Sequence, residues 1–95
     1  MPQTIALSAN LDLRAAAPLR ETLLGCAEEA VELDGAGVTR LGGLCLQVLL
    51  AALRDWSARG LAFTVKDPSA AFLETLSLFG ASEAMAPALS PQGAS

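Results

Sequence analysis

The feature that most constrains the fold is an alternation of strand-like and helix-like segments along the 95 residues of the chain. Three short runs have apolar residues at every second position and predict strands, which are Thr4–Ser8, Ala30–Asp34 and Leu61–Lys66. A longer segment with apolar residues at helical spacing follows each of them. Strands and helices in this order favour parallel pairing through right-handed crossovers. We therefore predict a small α/β fold in the order β-α-β-α-β-α, with a mainly parallel sheet of three to four strands and three to four helices, although the pattern does not place the fourth strand.

Apolar stripes predict three helices, over residues 15–29, 43–59 and 69–79. Gly60 and Gly80 follow the second and third of them, as expected for residues that end a helix. The first half of the second helix is apolar nearly all round. This pattern is typical of a helix that is buried on several sides or covered by a partner.

The length of the chain allows one domain, which we place at residues 1–80. Residues 81–95 hold small polar residues and two prolines among alanines, and this composition predicts a loosely ordered C-terminal tail with one short helical turn. The longest unbroken apolar stretch, Val48–Leu53, has six residues. A membrane-spanning helix needs roughly 18, so membrane insertion is not expected.

The charged residues and the missing residue types exclude several functions. Six basic and ten acidic residues give a net charge of -4, and the basic residues are scattered, so a nucleic-acid partner is not expected. The chain has no histidine, the commonest general base and metal ligand, so we predict no enzyme activity, no metal and no cofactor. The first ten residues have no export signal, which predicts a cytoplasmic location with Cys26 and Cys45 reduced, although their spacing alone leaves a disulfide open.

The loops that follow the predicted strands are the candidate functional segments, because a parallel sheet gathers them at one edge. The loop of residues 34–43 carries four glycines and leads into a helix, an arrangement that could cradle a phosphate. It lacks the lysine of a P-loop, and Arg40 interrupts the Gly-x-Gly-x-x-Gly spacing, so tight turns are the favoured interpretation. Asp12 and Asp34 could approach as an acid and a base, but capping and turn roles are favoured because no nucleophile accompanies them.

Four segments resemble the STAS domain family in order and spacing. Leu11–Leu19 is similar to the family pattern G-E-L-D-x-x-x-A-x-x-L, and Leu33–Leu46 is similar to D-L-S-x-V-x-x-[ILM]-D-S-S-G-L. Leu46–Ala52 resembles a subgroup found beside bacterial chemotaxis and sensor genes, and Asp67–Gly80 resembles the closing helix of that subgroup. The resemblance implies a non-enzymatic switch module, of which the anti-sigma factor antagonists are the best known.

In those antagonists a partner kinase phosphorylates a serine at the start of the second helix, and only the unmodified form binds that kinase. The added phosphate carries a charge of about -1.5 to -2. On the family pattern Gly42 falls on the aspartate, Gly43 on the phosphoacceptor and Leu44 on the second serine. The usual switch cannot operate here because glycine has no hydroxyl. Thr39 is the nearest hydroxyl in the loop and is favoured as an ordinary loop residue, while Asp12 keeps the acidic residue of the first loop.

We therefore predict a cytoplasmic, non-enzymatic interaction domain of bacterial signal transduction that docks onto a partner kinase, an anti-sigma-like protein or a chemotaxis regulator. The predicted partner-binding residues are Asp12, Asp34, Thr39, Arg40, Gly42, Gly43 and Leu44. Two alternatives stay open: a structural STAS subunit of a lipid-transport ABC complex, and a small-ligand or nucleotide binder at the glycine-rich loop. The apolar second helix is also compatible with a homodimer.

Overall fold

The structure is a computed structural model that describes residues 3–89. The described chain holds five strands and four α-helices. In chain order they are β1 (Gln3–Ala6), β2 (Asn10–Leu11), a 3₁₀ helix (Leu13–Ala15), α1 (Ala16–Leu24), β3 (Val31–Asp34), β4 (Arg40–Leu41), α2 (Gly43–Ala58), β5 (Phe63–Lys66), α3 (Ala70–Leu78) and α4 (Ser82–Leu89).

The three predicted strands form one parallel sheet in the order β1-β3-β5, which confirms the predicted fold class. Alternate residues of β3 and β5 are buried beneath the helices; these are Val31, Leu33, Phe63 and Val65. The opposite face of the sheet carries the aligned residues Thr4, Glu32 and Thr64, which are polar and exposed or half-buried. The helices therefore cover one face of the sheet, and alternation at every second residue marks that face in the sequence.

The sequence did not place a fourth strand. The structure has two further strands of two residues each, which pair with one another and not with the main sheet. Asn10 and Leu11 of β2 lie parallel to Arg40 and Leu41 of β4. The backbone N–H of Gly42 extends this ladder by donating to the Leu11 carbonyl at 2.9 Å. This short ladder ties the loop after β1 to the glycine-rich loop after β3 immediately before α2 begins.

The first helix is shorter than predicted, because α1 ends at Leu24 and not at Glu29. Residues 25–29 form turns, in which the N–H groups of Cys26 and Glu29 bond to carbonyls three residues earlier. Gly25, a poor helix former, begins this segment. The indole N–H of Trp56 then donates to the Glu29 carbonyl at 2.7 Å and ties the turn to α2.

The nearly continuous apolar surface of α2 is explained by contacts on three sides. Leu46, Leu49 and Trp56 are buried in the core. Leu50 and Leu53 are half-buried and border a groove next to α4, while further apolar residues of α2 face α1. The core side of α2 is therefore buried and the side next to α4 half-buried, whereas Leu44 on the side that faces α1 stays exposed.

The prediction of a loosely ordered tail from residue 81 is wrong for Ser82–Leu89, which form α4. Ala81, Met85 and Ala88 recur at helical spacing and are buried, and α4 packs against β5, α2 and α3. Pro87 suggested a loop, but it lies inside this short helix, which tertiary packing holds in place. Residues 90–95 of the predicted tail lie outside the described residues.

Candidate functional site

The start of α2 lies at the edge of the sheet where the predicted loops converge. Gly42 precedes the helix in an extended conformation, with φ -86° and ψ 165°, and its carbonyl accepts the first helical hydrogen bond from the N–H of Leu46 at 3.0 Å. Gly43 is the first helical residue. Because both positions are glycine, no side chain caps the start of α2.

An aromatic ring lies beside Gly43, the residue that the family resemblance aligns with the phosphoacceptor. A Cβ atom added to Gly43 would lie 2.9 Å from Cε2 and 3.3 Å from Cζ of Phe79. The Phe79 side chain follows α3 and remains 59% exposed, so its ring has room to move aside. The φ angle of Gly43 lies outside the left-handed region, and its conformation therefore does not require glycine.

Gly42 differs from Gly43 in its surroundings, because backbone atoms and not a side chain lie close to it. A Cβ atom at this position would stand 3.2 Å from the Leu11 carbonyl oxygen and 3.8 Å from Cα of Asp12. The contact with the Leu11 carbonyl oxygen is tight, so a side chain at position 42 would require the backbone of the β2–β4 ladder to move by a few tenths of an ångström.

Asp12 stabilises the segment that enters α1 and also contacts α2. Its carboxylate accepts a hydrogen bond from the Arg14 backbone N–H at 3.0 Å, and the Arg14 guanidinium lies 3.5 Å away. The Asp12 backbone carbonyl accepts a hydrogen bond from the Cys45 thiol at 3.3 Å. Burial and, to a smaller degree, the charge of Asp12 raise the pKa of the Cys45 thiol, so it stays protonated and can donate this bond.

Of the other predicted loop residues, Thr39 and Arg40 lie next to Ala9, and Asp34 lies in a separate turn. The Thr39 hydroxyl donates to the Ala9 carbonyl at 3.0 Å, and the Thr39 backbone N–H donates to the same carbonyl at 2.7 Å. Arg40 is exposed in β4 next to this turn. Asp34 lies at the end of β3, where its carboxylate accepts a hydrogen bond from the Ala36 N–H at 3.0 Å in a local turn. The carboxylates of Asp12 and Asp34 thus each bond within their own loop.

The structure also shows a groove between α1 and α2 that the sequence interpretation missed. The groove has a volume of about 400 Å³, and its walls are mainly apolar. Leu24 from α1 and Leu44 from α2 line it, and they are 57% and 45% exposed. The sequence feature that indicates this groove is the second apolar side of α2, because packing against the sheet needs only one apolar side.

The arrangement offers exposed apolar side chains and ordered loops beside a helix start. Among residues 3–89 there is no group of three or more Cys, Asp or Glu side chains that could hold a metal ion. Within the same range no helix is long and apolar enough to cross a membrane. The described residues thus combine a small parallel α/β layer with loops that gather at an apolar helix start.

A family model described as “Mlab, STAS domain” matches residues 2–89. The chain therefore belongs to the STAS domain family. Domains of this family are generally non-enzymatic modules with binding and regulatory roles. The match includes the segment of α4. None of the curated proteins compared with the chain matches it.

Proposed function

We propose that this chain is a non-enzymatic docking domain that binds a partner protein through the start of α2 and the loops beside it, without a phosphorylation switch at the first residue of that helix. One observation carries the proposal. The resemblance to the family pattern aligns Gly43 with the phosphoacceptor, and the Phe79 ring lies over the place that a side chain at this position would occupy. Docking is then constitutive at this position, because no phosphate can be added there.

The proposed docking surface consists of Asp12, Arg40, Gly43, Leu44 and Phe79. Leu44 and Phe79 are large apolar residues that are each about half exposed, and burial of apolar surface is the main favourable contribution to most protein association. We propose a cytoplasmic role in bacterial signal transduction, with a partner kinase, an anti-sigma-like protein or a chemotaxis regulator as the bound protein.

A second candidate is a structural subunit of a lipid-transport ABC complex. Gly43 supports it as well, because a subunit that only stabilises its partner needs no phosphoacceptor. The neighbouring genes discriminate between the two: a serine kinase or a chemotaxis histidine kinase favours the first, and an ABC ATPase favours the second. A phosphate cradle at the glycine-rich loop has less support, since the N–H groups of Gly35, Ala36 and Val38 already donate within the protein.

The variant Gly43→Ser tests the absence of the switch. We expect a serine kinase encoded near the gene to leave the wild-type chain unmodified at the start of α2 and to phosphorylate the variant there. The substitution restores a hydroxyl at a first-turn position that tolerates serine, and the Phe79 ring can move aside. We therefore expect the free energy of unfolding to change by no more than about 1 kcal/mol. Intact mass and peptide mapping read the modification.

Gly43→Ala is the matched control, because it adds the same Cβ atom without the hydroxyl. Phosphate on the wild-type chain at Thr39, or elsewhere in residues 34–43, would show that the switch has moved and would contradict unswitched docking. Phosphate on neither protein, together with poor binding by a kinase that is active on a control substrate, would favour the structural ABC subunit over the signalling docking domain.

A further inference from the structure

We propose that the groove between α1 and α2 receives an amphipathic helix of the partner protein, with acidic residues flanking the apolar side of that helix. This inference rests on the proposed docking function and adds the chemistry of the partner. The proposal is based on the shape of the groove, on the exposed leucines at its sides and on the arginines near it.

The shape and lining of the groove fit a helix. Leu24 and Leu44 stand on opposite sides, and Val48 and Ala51 of α2 add further apolar lining. α2 has 16 residues, and at a rise of about 1.5 Å per residue it is roughly 24 Å long. A helix placed along such a groove presents apolar residues three and four positions apart, which is a common mode of peptide recognition.

The charges select an acidic partner. Arg20 lines the groove, and Arg14 and Arg40 lie in the segments that lead into α1 and α2. Among the described residues neither Arg20 nor Arg40 takes part in an ion pair. Arg14 pairs with Asp12 at 3.5 Å, and its side chain is 90% exposed. The region near the start of the two helices is thus rich in arginine, although the whole chain has a net charge of -4.

Two carboxylates near the groove are each paired with another arginine, which leaves Arg20 and Arg40 without an acidic neighbour in an ion pair among the described residues. Asp12 pairs with the Arg14 guanidinium at 3.5 Å and accepts the Arg14 backbone N–H. Asp55 lines the groove further along α2, where it pairs with Arg59 at 3.3 Å. Complementary charges at the rim of an interface speed association and exclude wrongly charged partners. The exposed arginines therefore favour glutamate and aspartate beside the apolar face of the bound helix.

The test is a selection from a displayed library of helical peptides against the intact chain. The library fixes apolar residues at helical spacing and randomises the positions that flank them. We expect the selected peptides to be enriched in Asp and Glu. A selected peptide is expected to bind Arg20→Glu and Leu24→Gln about tenfold more weakly or worse, as measured by fluorescence anisotropy. Added salt is expected to weaken its binding further.

Arg54→Glu is the matched control, because Arg54 is an exposed arginine of α2 that borders the other groove, next to α4. Unchanged binding by this variant supports the proposal. Neutral or basic peptides that still require Leu24 would overturn the acidic chemistry and leave the docking function intact. Peptides that bind Arg20→Glu and Leu24→Gln as tightly as the unsubstituted chain would show that the groove is not the docking site. A selection that enriches no peptide would show the same. Light scattering that shows a dimer broken by Leu24→Gln would assign the groove to a second copy and also overturn the proposal.

Discussion

A chain that ends at Gly80 is expected to lose its cooperative unfolding transition, because the truncation removes α4. Met85 and Ala88 are at most 1% exposed, and α4 packs against β5, α2 and α3. Loss of one buried methionine side chain alone costs about 2–5 kcal/mol, and the whole stability of a domain is about 5–15 kcal/mol. Thermal unfolding followed by circular dichroism measures the effect, and it tests whether a domain of residues 1–80 folds without α4.

A chain that ends at Leu89 is the matched control, since it keeps every buried residue described above. Met85→Ala provides a graded version, with an expected loss of about 2–5 kcal/mol in the free energy of unfolding. A chain ending at Gly80 that unfolds at the temperature of the full chain would refute the structural role assigned to α4.

The substitution Leu44→Asp is expected to lower the affinity for the partner protein about 30-fold or more, the effect of losing a side chain worth about 2 kcal/mol at the centre of an interface. Leu44 is next to Gly43, lines the α1–α2 groove and is 45% exposed. A charge at this position would have to be buried on docking. Calorimetric titration with the candidate partner encoded near the gene measures the affinity, and thermal unfolding checks that the variant folds.

Leu73→Asp is an unusually close control for this substitution. Leu73 is the same residue type and is 44% exposed, but it lies on α3 and does not line the groove. Equal losses of affinity from the two variants would show that the effect is not specific to the start of α2. Full affinity of Leu44→Asp would remove this residue from the interface.

The parallel sheet could be predicted because a local pattern encodes it. Alternation in Val31–Asp34 marks a strand with one buried face. The family resemblance aligns Gly42 and Gly43 with positions that ordinarily carry side chains, and this alignment stays a prediction. The apolar excess of α2 indicated apolar surface beyond the side that packs on the sheet; α4 half-buries part of it, and the groove next to α1 leaves part of it exposed.

The remaining features depend on tertiary contacts that leave little local signal. Two residues in β2 and two in β4 are too few to show a period of two, so that ladder could not be recognised. Pro87 argued against a helix in this segment, although Ala81, Met85 and Ala88 follow helical spacing. The approach of Phe79 to Gly43 joins positions far apart in the chain. The groove likewise needs α1 and α2 in their packed arrangement.

The central claim, that docking occurs at the start of α2, is tested most directly by site-specific photocrosslinking in the cells that produce the protein. A photoreactive phenylalanine analogue replaces Leu44 in one full-length chain and Leu73 in another, and mass spectrometry identifies the crosslinked peptides. The account predicts one discrete partner protein crosslinked from position 44 and none from position 73. The same partner captured equally well from position 73, or no partner from position 44, would contradict it.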